Sequence, residues 1–270
     1  MLKFETASGA DVSGLFSRVC DHELTGFVLR DALGADTIAM LKHTIEANKQ
    51  EFYTDLNNGN GFSIPGMFGQ LHKTQPVENV DKYFADIPGF CAATDRSSAL
   101  DVCTILDSIL NNVLSPAHAE VLPGFLPYSF RVVYPDRGGL DIHKDGDLLP
   151  YIHDNISRQI QQYIVPGTLM SWFFSLQSPD TGGELWVADS DYSQCEKQGQ
   201  YDLVDAQGAV IRESEISHIR VATPTGSLLV FRGGSYWHKV LPPQHGHEVR
   251  ITFGGFFAQA RDGDRYYYWS

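Results

Sequence analysis

The chain has 270 residues, 43% of them hydrophobic, with 33 Asp and Glu against 20 Lys and Arg and a formal net charge of −13. A chain of this length can bury a substantial core, and one domain of this size is usual for barrel and sandwich folds. The acidic balance, without any basic cluster, argues against nucleic acid as a partner, because a duplex-binding surface needs concentrated positive charge.

The sequence carries no pattern for a membrane span or a secretion signal. No apolar stretch approaches the ~18 residues that cross a bilayer, and the first residues lack a basic start followed by a long apolar run. The cysteines lack C-x-x-C spacing, so neither a zinc site nor a disulfide framework is predicted. A cytoplasmic protein without membrane contact is therefore expected.

The N-terminal part, residues 1–124, is predicted to be mainly helical and to support a β-rich core. Residues 26–31 predict a short strand, and the near-helical spacing of apolar residues predicts a helix over 36–53 with Asp36 as its N-cap. The clearest amphipathic pattern spans 97–114 and predicts a second helix, whose apolar stripe packs on the core.

Segment 57–68 allows two interpretations. It is dense in Gly, Asn and Pro and still carries Phe62, Ile64 and Met67. Solvent loops seldom hold so much apolar surface, so one interpretation is a substrate lid whose apolar side chains line the substrate pocket. The other is a buried connection that packs on the core.

The C-terminal half predicts a β-rich core. Residues 125–260 are punctuated by Gly- and Pro-rich turns and predict a double-stranded β-helix, the jelly roll of antiparallel strands. Two polar inserts interrupt it at 152–165, which contains a candidate helix, and at 193–217. Residues 261–270 are assigned as a C-terminal tail. The expected fold is one domain, mainly β with flanking helices and a cupin-like core.

The stretch 130–147 carries the central chemical clue, and its sequence is FRVVYPDRGGLDIHKDGD. Side chains alternate faces in an extended segment, so His143 and Asp145 point the same way. A later strand supplies His238 as a third candidate ligand. Two histidines and one carboxylate on one side of a metal ion form the facial triad of non-haem Fe(II) oxygenases. Arg250 follows in an apolar strand, where an unpaired arginine is costly and a ligand role is favoured.

These motifs resemble the Fe(II)/2-oxoglutarate-dependent oxygenase superfamily, whose pattern is His-x-Asp/Glu, a distal His and then an Arg that grips the 2-oxoglutarate carboxylate. The matching segments run IHKD, TGGELWVAD, TGSLLVFRGGSYWH and EVRITFGGFFA. Within the superfamily, the chain is most similar to the carrier-independent aliphatic halogenases of indole-alkaloid pathways and to the related N-substituted amino-acid hydroxylases. The halogenases carry Gly where Asp145 stands, which leaves a coordination site for chloride. Because the Asp145 carboxylate fills that site, hydroxylation is favoured over halogenation.

The resemblance implies a set of ligands. His143, Asp145 and His238 would hold Fe(II), and 2-oxoglutarate and O2 would bind at the metal as cosubstrates. Arg250 would bind the far carboxylate of 2-oxoglutarate through two parallel charge-assisted hydrogen bonds. Thr252 lies two residues further along the same strand, hence on the same face, and its hydroxyl would add a third bond.

The expected function is hydroxylation of an unactivated C–H bond in a small molecule, with release of succinate and CO2. The substrate would be an amino-acid derivative or a natural-product intermediate. Arg131, Trp172 and Trp237 join the candidates for the substrate pocket, against the alternatives of ion pairing for the arginine and core filling for the aromatic residues. The second candidate function is a metal-dependent cupin enzyme, an isomerase or a dioxygenase that does not use 2-oxoglutarate. Such an enzyme normally carries more histidines and does not need Arg250.

Overall fold

A computed structural model gives the fold and describes residues 2–8, 12–56, 59–66, 71, 77–97, 101–137, 139–147, 149, 152–244, 248–263 and 265–270. The helices in these ranges are α1 (Ser13–Cys20), α2 (Ala35–Phe52), α3 (Val77–Ser97), α4 (Val102–Leu114) and α5 (Asp154–Tyr163). The strands are β1 (Phe4–Ser8), β2 (Gly26–Arg30), β3 (Thr54–Leu56), β4 (Gly61–Ile64), β5 (His118–Val121), β6 (Ser129–Val133), β7 (Met170–Gln177), β8 (Leu185–Ala188), β9 (Glu196–Gln198), β10 (Asp202–Val204), β11 (Val210–Ile211), β12 (His218–Val221), β13 (Leu228–Phe231), β14 (His238–Val240), β15 (Arg250–Gln259) and β16 (Arg265–Trp269). None of the described helices is long and apolar enough to cross a membrane.

Two sheets form the jelly-roll sandwich. The large sheet has ten strands in the order β1-β2-β13-β7-β15-β6-β4-β3, with β16 paired to β15 and β5 paired to β16. The small sheet has the order β12-β8-β14. Within both sheets the pairing is antiparallel except between β1 and β2 and between β5 and β16. The predicted fold, mainly β with flanking helices around a jelly roll, is confirmed.

Side chains of the large sheet alternate between two cores. Those on one face, such as Phe130 and Phe253, pack with the helices in the main hydrophobic core. Those on the other face, such as Phe173 and Phe231, pack against Leu185 and its neighbours on the small sheet. This alternation is the period of two that a strand imposes, and it leaves the space between the sheets for a site.

The N-terminal part supplies strands as well as helices. β2 pairs with β13, and β4 pairs with β6, so both extend the large sheet. All four residues of β4 are buried, and a β-carbon on Gly61 would overlap with the carbonyl of Val132 on β6. Residues 61–64 are therefore a buried connection rather than a lid, while Met67 lies outside the described residues.

The predicted helices differ from the observed ones mainly at their ends. The helix predicted over 36–53 is observed as α2, and the candidate helix within 152–165 as α5. Asp36 is not the N-cap as predicted, because α2 begins at Ala35 after Gly34 and Asp36 lies in its first turn. The observed α4 begins at Val102 instead of residue 97. Asp101 precedes it and accepts a hydrogen bond from the Thr104 amide at 3.2 Å, which is an N-cap interaction.

Two segments have more structure than the sequence indicates. The segment assigned as a tail, residues 261–270, contains β16, which pairs with both β15 and β5. The insert 193–217 contains β9, β10 and β11, which form a third, three-stranded sheet. Leu203 and Cys195 of this insert are buried against the small sheet.

Candidate metal centre

The three predicted ligands come from two segments that lie side by side. His143 and His238 form an antiparallel bridge in which each amide donates to the other carbonyl at 2.9 Å. The amide of Asp145 donates to the carbonyl of Gly233 at 3.0 Å. These main-chain bonds fix the His-x-Asp segment against β14 and the turn that precedes it.

The ligand atoms of this triad converge on one point. One ligand atom from each of His143, Asp145 and His238 lies within 4.8 Å of the others. The two carboxylate oxygens of Asp145 each lie 3.5 Å from the Nε2 atom of one histidine. Asp145 and His238 are each 4% exposed, so the group is held inside the sandwich.

Both imidazole rings are oriented to bind a metal through Nε2. Nδ1 of His143 lies 2.7 Å from the carbonyl oxygen of Asp141, and Nδ1 of His238 lies 2.9 Å from that of Tyr236. A carbonyl oxygen only accepts hydrogen bonds, so each Nδ1 carries the proton and each Nε2 presents its lone pair toward Asp145. Neutral imidazoles in this tautomer are the form that ligates metals.

Close backbone approach holds the carboxylate of Asp145 in place. The hydroxyl of Ser171 on β7 donates a short hydrogen bond to its Oδ2. A β-carbon on Gly233 would overlap with the Ser171 hydroxyl and with Asp145 Oδ2, and one on Gly146 would overlap with the carbonyl of Gly234. Gly146 and Gly233 are therefore required, because a side chain at either position would overlap with neighbouring atoms.

The protonation states suit a cation. Burial, followed by repulsion from His238, lowers the pKa of His143 to about 4, so its imidazole is neutral at pH 7. Burial alone would raise the pKa of Asp145, but attraction to His238 and His143 and the Ser171 hydrogen bond outweigh it and lower this pKa. An ionised carboxylate beside a neutral imidazole is the donor set that a divalent metal requires.

A buried guanidinium lies next to Phe173, a residue that borders the space around the triad. Arg250 is 3% exposed on β15, and its guanidinium lies 4.8 Å from the centroid of the Phe173 ring. Its Nη2 atom is buried and has no hydrogen-bond partner in the part of the chain that the structure describes. Burial, with some repulsion from Arg131, lowers the pKa of Arg250 to about 9. Thr252 is buried two residues further along β15, and together they offer an anion site suited to a carboxylate.

The cavity at the triad is lined by both sheets. Besides the ligands it is bordered by Ser171 and by Arg131 of β6, and its apolar walls include Phe173, Phe231 and Phe256. Of the predicted pocket residues, Arg131 thus lies at the metal centre. The donor set and the unpartnered guanidinium fit Fe(II) together with a dicarboxylic keto acid.

Phe62 and Ile64 lie on the other side of the large sheet. Both pack in the main core with the helices. The register of β4 with β6 pairs Ser63 with Arg131, which puts Ser63 and not its two neighbours on the cavity face. The two apolar side chains therefore do not line the metal cavity.

The side chain of Trp172 also belongs to the main core. Its indole N–H donates to the carbonyl of Phe256 at 3.1 Å, and its ring contacts Phe174 and Phe253. Trp172 is among the residues that border the cavity. Because Ser171 and Phe173 face the cavity, strand alternation turns the Trp172 ring toward the other face of the sheet.

Trp237 packs on the outer face of the small sheet, behind the ligand His238. Its indole N–H donates to the carbonyl of Cys195 at 3.1 Å. The Lys144 ammonium lies 4.7 Å from its ring centroid and donates to the carbonyl of Ser193 at 3.1 Å. The insert over 193–217 therefore contacts both segments that carry the ligands, on the side that faces away from the cavity.

Two polar residues, Ser171 in the cavity wall and Ser63 on the cavity face of β4, were not among the sequence-based candidates. A weak signal existed for the first, because strand β7 reads MSWFFSLQ and carries small polar residues only at positions 171 and 175 on an otherwise apolar strand. Buried serines on one face of such a strand indicate a polar space rather than a core.

A jelly roll that holds two histidines, one carboxylate and a buried arginine between its sheets defines the class of Fe(II)- and 2-oxoglutarate-dependent oxygenases. The profile of one protein family, the carrier-protein-independent halogenase WelO5, matches residues 1–270. The chain belongs to this family, and it is an Fe(II)/2-oxoglutarate-dependent enzyme. A cupin enzyme that does not use 2-oxoglutarate is accordingly not supported. No curated protein matches the sequence.

Solved structures show the same fold at low sequence identity. An N-substituted L-amino acid dioxygenase from Burkholderia ambifaria AMMD is 15% identical, with a TM-score of 0.57 over 95% of this chain and 91% of that chain. A structure of such a dioxygenase from the same organism in complex with α-ketoglutarate is 15% identical, with a TM-score of 0.53 over the same shares of the two chains. At this identity the likeness supports the fold alone.

Proposed function

We propose that this enzyme hydroxylates an unactivated C–H bond of a small molecule, an amino-acid derivative or a natural-product intermediate. In this proposal His143, Asp145 and His238 hold Fe(II), and Arg250 with Thr252 binds the far carboxylate of 2-oxoglutarate. Bound Fe(II) and 2-oxoglutarate supply O2 activation and leave succinate and CO2 as coproducts. The chain's own residues set positions and charges and exclude water.

The observation that carries the proposal is the carboxylate of Asp145. Both of its oxygens lie 3.5 Å from a histidine Nε2, and Ser171 and the neighbouring glycines hold it there. A carboxylate at this position gives the metal a third protein ligand and neutralises part of its charge. It also occupies the place that the related halogenases leave to chloride, which favours hydroxylation.

The role proposed for Arg250 rests on its buried Nη2 atom, which has no hydrogen-bond partner among the described residues. A buried guanidinium without an acidic partner is unfavourable in the free protein, since charge burial is tolerated mainly when it is compensated. A carboxylate aligned with its fork would make two parallel hydrogen bonds. Thr252 on the same face adds a hydroxyl to the same group.

Anaerobic visible absorption tests the cofactor site before any substrate is known. The metal-free protein is titrated with Fe(II) and then with 2-oxoglutarate, in wild type, His238→Ala and Arg250→Ala, with the exposed Arg265→Ala as a control. We expect a charge-transfer band that needs both additions, disappears without His238 and requires more 2-oxoglutarate without Arg250. A band that is unchanged in both site variants would contradict the assigned roles.

A further inference from the structure

A row of polar side chains crosses the cavity face of the large sheet. Ser63 on β4 is in register with Arg131 on β6, which is in register with Thr252 on β15, which in turn is in register with Ser175 on β7. Side chains paired in this way stand on one face, with β-carbons about 5 Å apart. Arg131 extends from this row into the cavity that contains His143 and Asp145. The row therefore forms a polar wall beside the metal centre.

Two members of this row have a side-chain atom without a hydrogen-bond partner among the described residues. Nε of Arg131 and Oγ of Ser63 are both buried without a partner. The guanidinium carbon of Arg131 lies 5.9 Å from the centroid of the Phe256 ring. Burial lowers the pKa of Arg131, and attraction to Asp145 opposes that change. Buried polar groups are normally satisfied, so an open donor and a hydroxyl side by side indicate a missing ligand.

The charges identify the kind of ligand. Among the described residues that line the cavity, Asp145 is the only acidic one, whereas Arg131 is cationic and Arg250 stands nearby. A divalent metal bound at Asp145 would neutralise the carboxylate charge that attracts Arg131 in the free protein. The two carboxylates of 2-oxoglutarate then offset part of the positive charge, and one positive charge remains without a counterion in a space of low polarity.

We infer that Arg131 and Ser63 bind a carboxylate group in the metal cavity, at a position separate from the one formed by Arg250 and Thr252. The guanidinium of Arg131 supplies a fork of donors, and the hydroxyl of Ser63 supplies one more. The inference rests on the proposed function only for the presence of the metal and 2-oxoglutarate.

This carboxylate has two sources. It belongs either to the organic substrate or to 2-oxoglutarate, whose metal-binding end also carries one. The positive charge that remains after 2-oxoglutarate binds favours the substrate as the source of the carboxylate. Small acids, rather than neutral molecules, are therefore the preferred substrate class. Substitution of Arg131 separates the two sources, because only one of them changes the affinity for 2-oxoglutarate.

Calorimetric titration of the full-length protein loaded with Mn(II) tests the inference, in chloride-free buffer because chloride would compete for a cationic site. The first series measures the dissociation constant of 2-oxoglutarate for wild type, Arg131→Gln, Arg131→Lys and Ser63→Ala. The second series, at saturating 2-oxoglutarate, measures N-acetyl-L-leucine and its primary amide, which differ only in the carboxylate. Thermal melting and Mn(II) affinity show that each variant is folded and binds metal.

If the carboxylate belongs to the substrate, wild type binds the acid more tightly than the amide. Arg131→Gln removes that preference, because its affinity for the acid falls about tenfold while its affinity for 2-oxoglutarate is unchanged. If it belongs to 2-oxoglutarate, the about tenfold loss appears in the first series instead. Arg131→Lys retains part of the affinity, and Ser63→Ala has a smaller effect. Unchanged 2-oxoglutarate binding in Arg131→Gln, together with no preference of wild type for the acid, overturns the inference. Failure of wild type to bind 2-oxoglutarate would instead contradict the proposed function.

Discussion

At the scale of single residues, we propose that Asp145 decides between hydroxylation and halogenation at the metal centre. Replacement by Gly removes one protein ligand and opens the position that the related halogenases keep for chloride. We expect Asp145→Gly to lower 2-oxoglutarate turnover, measured as succinate formed under O2, by at least about tenfold. We also expect added chloride to shift the visible band of the anaerobic Fe(II) and 2-oxoglutarate complex in the variant and to leave wild type unchanged.

Asp141→Asn is the matched control for this substitution. Asp141 lies on the same segment and its carboxylate bonds to Gln200, so its removal changes local charge without removing a ligand. Parental succinate formation by Asp145→Gly, or a chloride effect of equal size in both proteins, would show that Asp145 does not ligate the metal.

His143 makes the stability of the metal-free protein depend on pH. Its pKa is about 4 in the folded protein against an ordinary value of 6.5, mainly because burial disfavours the charged ring. Between these values the unfolded chain binds more protons than the folded one, so the stability that His143 contributes is present above pH 6.5 and is lost as the pH falls toward 4. Urea unfolding of wild type and His143→Gln should show a stability difference that is constant above pH 7 and declines below 6.5. A difference independent of pH would contradict the assigned burial.

Strand alternation explains which residues of the site were predictable. The rule for an extended segment predicted that His143 and Asp145 share a face, and their convergence with His238 is observed, although Asp145 begins a short 3-10 helix, Asp145–Asp147. The same rule does not say which side chains of a strand point to the cavity until a contact of one of them is known. For β7 the anchor is the contact of Ser171 with Asp145, which turns Trp172 into the core.

At the scale of elements, the insert over 193–217 supports the metal centre from outside. Its residues Ser193 and Cys195 contact Lys144 and Trp237, which alternate with ligands on their two segments. We expect Trp237→Ala to weaken Mn(II) binding by about tenfold, because the ligand segment loses its outer support. The affinity for 2-oxoglutarate at saturating metal should change little, since Trp237 does not contact the cavity.

Trp237→Phe separates packing from hydrogen bonding in this contact. The phenyl ring retains most of the apolar contact, while the bond to Cys195 is lost, so the metal affinity should lie between those of wild type and Trp237→Ala. Equal losses of metal and 2-oxoglutarate affinity in Trp237→Ala would indicate general destabilisation instead of a positioning role.

Elements with an uninterrupted pattern were predictable, and those defined by long-range pairing were not. α2 and α4 follow from the spacing of their apolar residues. α3 was not predicted, and Pro88 and Gly89 lie inside it, where they disfavour a helix. β4 and β16 acquire their identity from β6 and β5, which are distant in sequence.

At the scale of the whole molecule, the sandwich buries positive charge that the described residues do not neutralise. Arg250 lies between the sheets with an unpartnered nitrogen, and Arg131 stands nearby. The cation–π contact between the Arg250 guanidinium and the Phe173 ring stabilises the folded protein by about 0.5–2 kcal/mol, whereas burying an ion costs several kcal/mol. In the free protein, the buried Arg250 guanidinium therefore lowers stability at the place proposed for the cosubstrate carboxylate.

Arg250→Met tests this balance, because methionine retains apolar volume and removes the charge. We expect the metal-free variant to melt at the same temperature as wild type or a few degrees higher. Mn(II) should stabilise both proteins, but the further rise on adding 2-oxoglutarate, which mass action produces in wild type, should be absent in the variant. Arg265→Met is the control, since Arg265 is exposed and paired with Glu120 and Asp262, and it should keep the full rise. A less stable Arg250→Met protein that still gains stability from 2-oxoglutarate would show that the guanidinium is structural and that the cosubstrate carboxylate binds elsewhere.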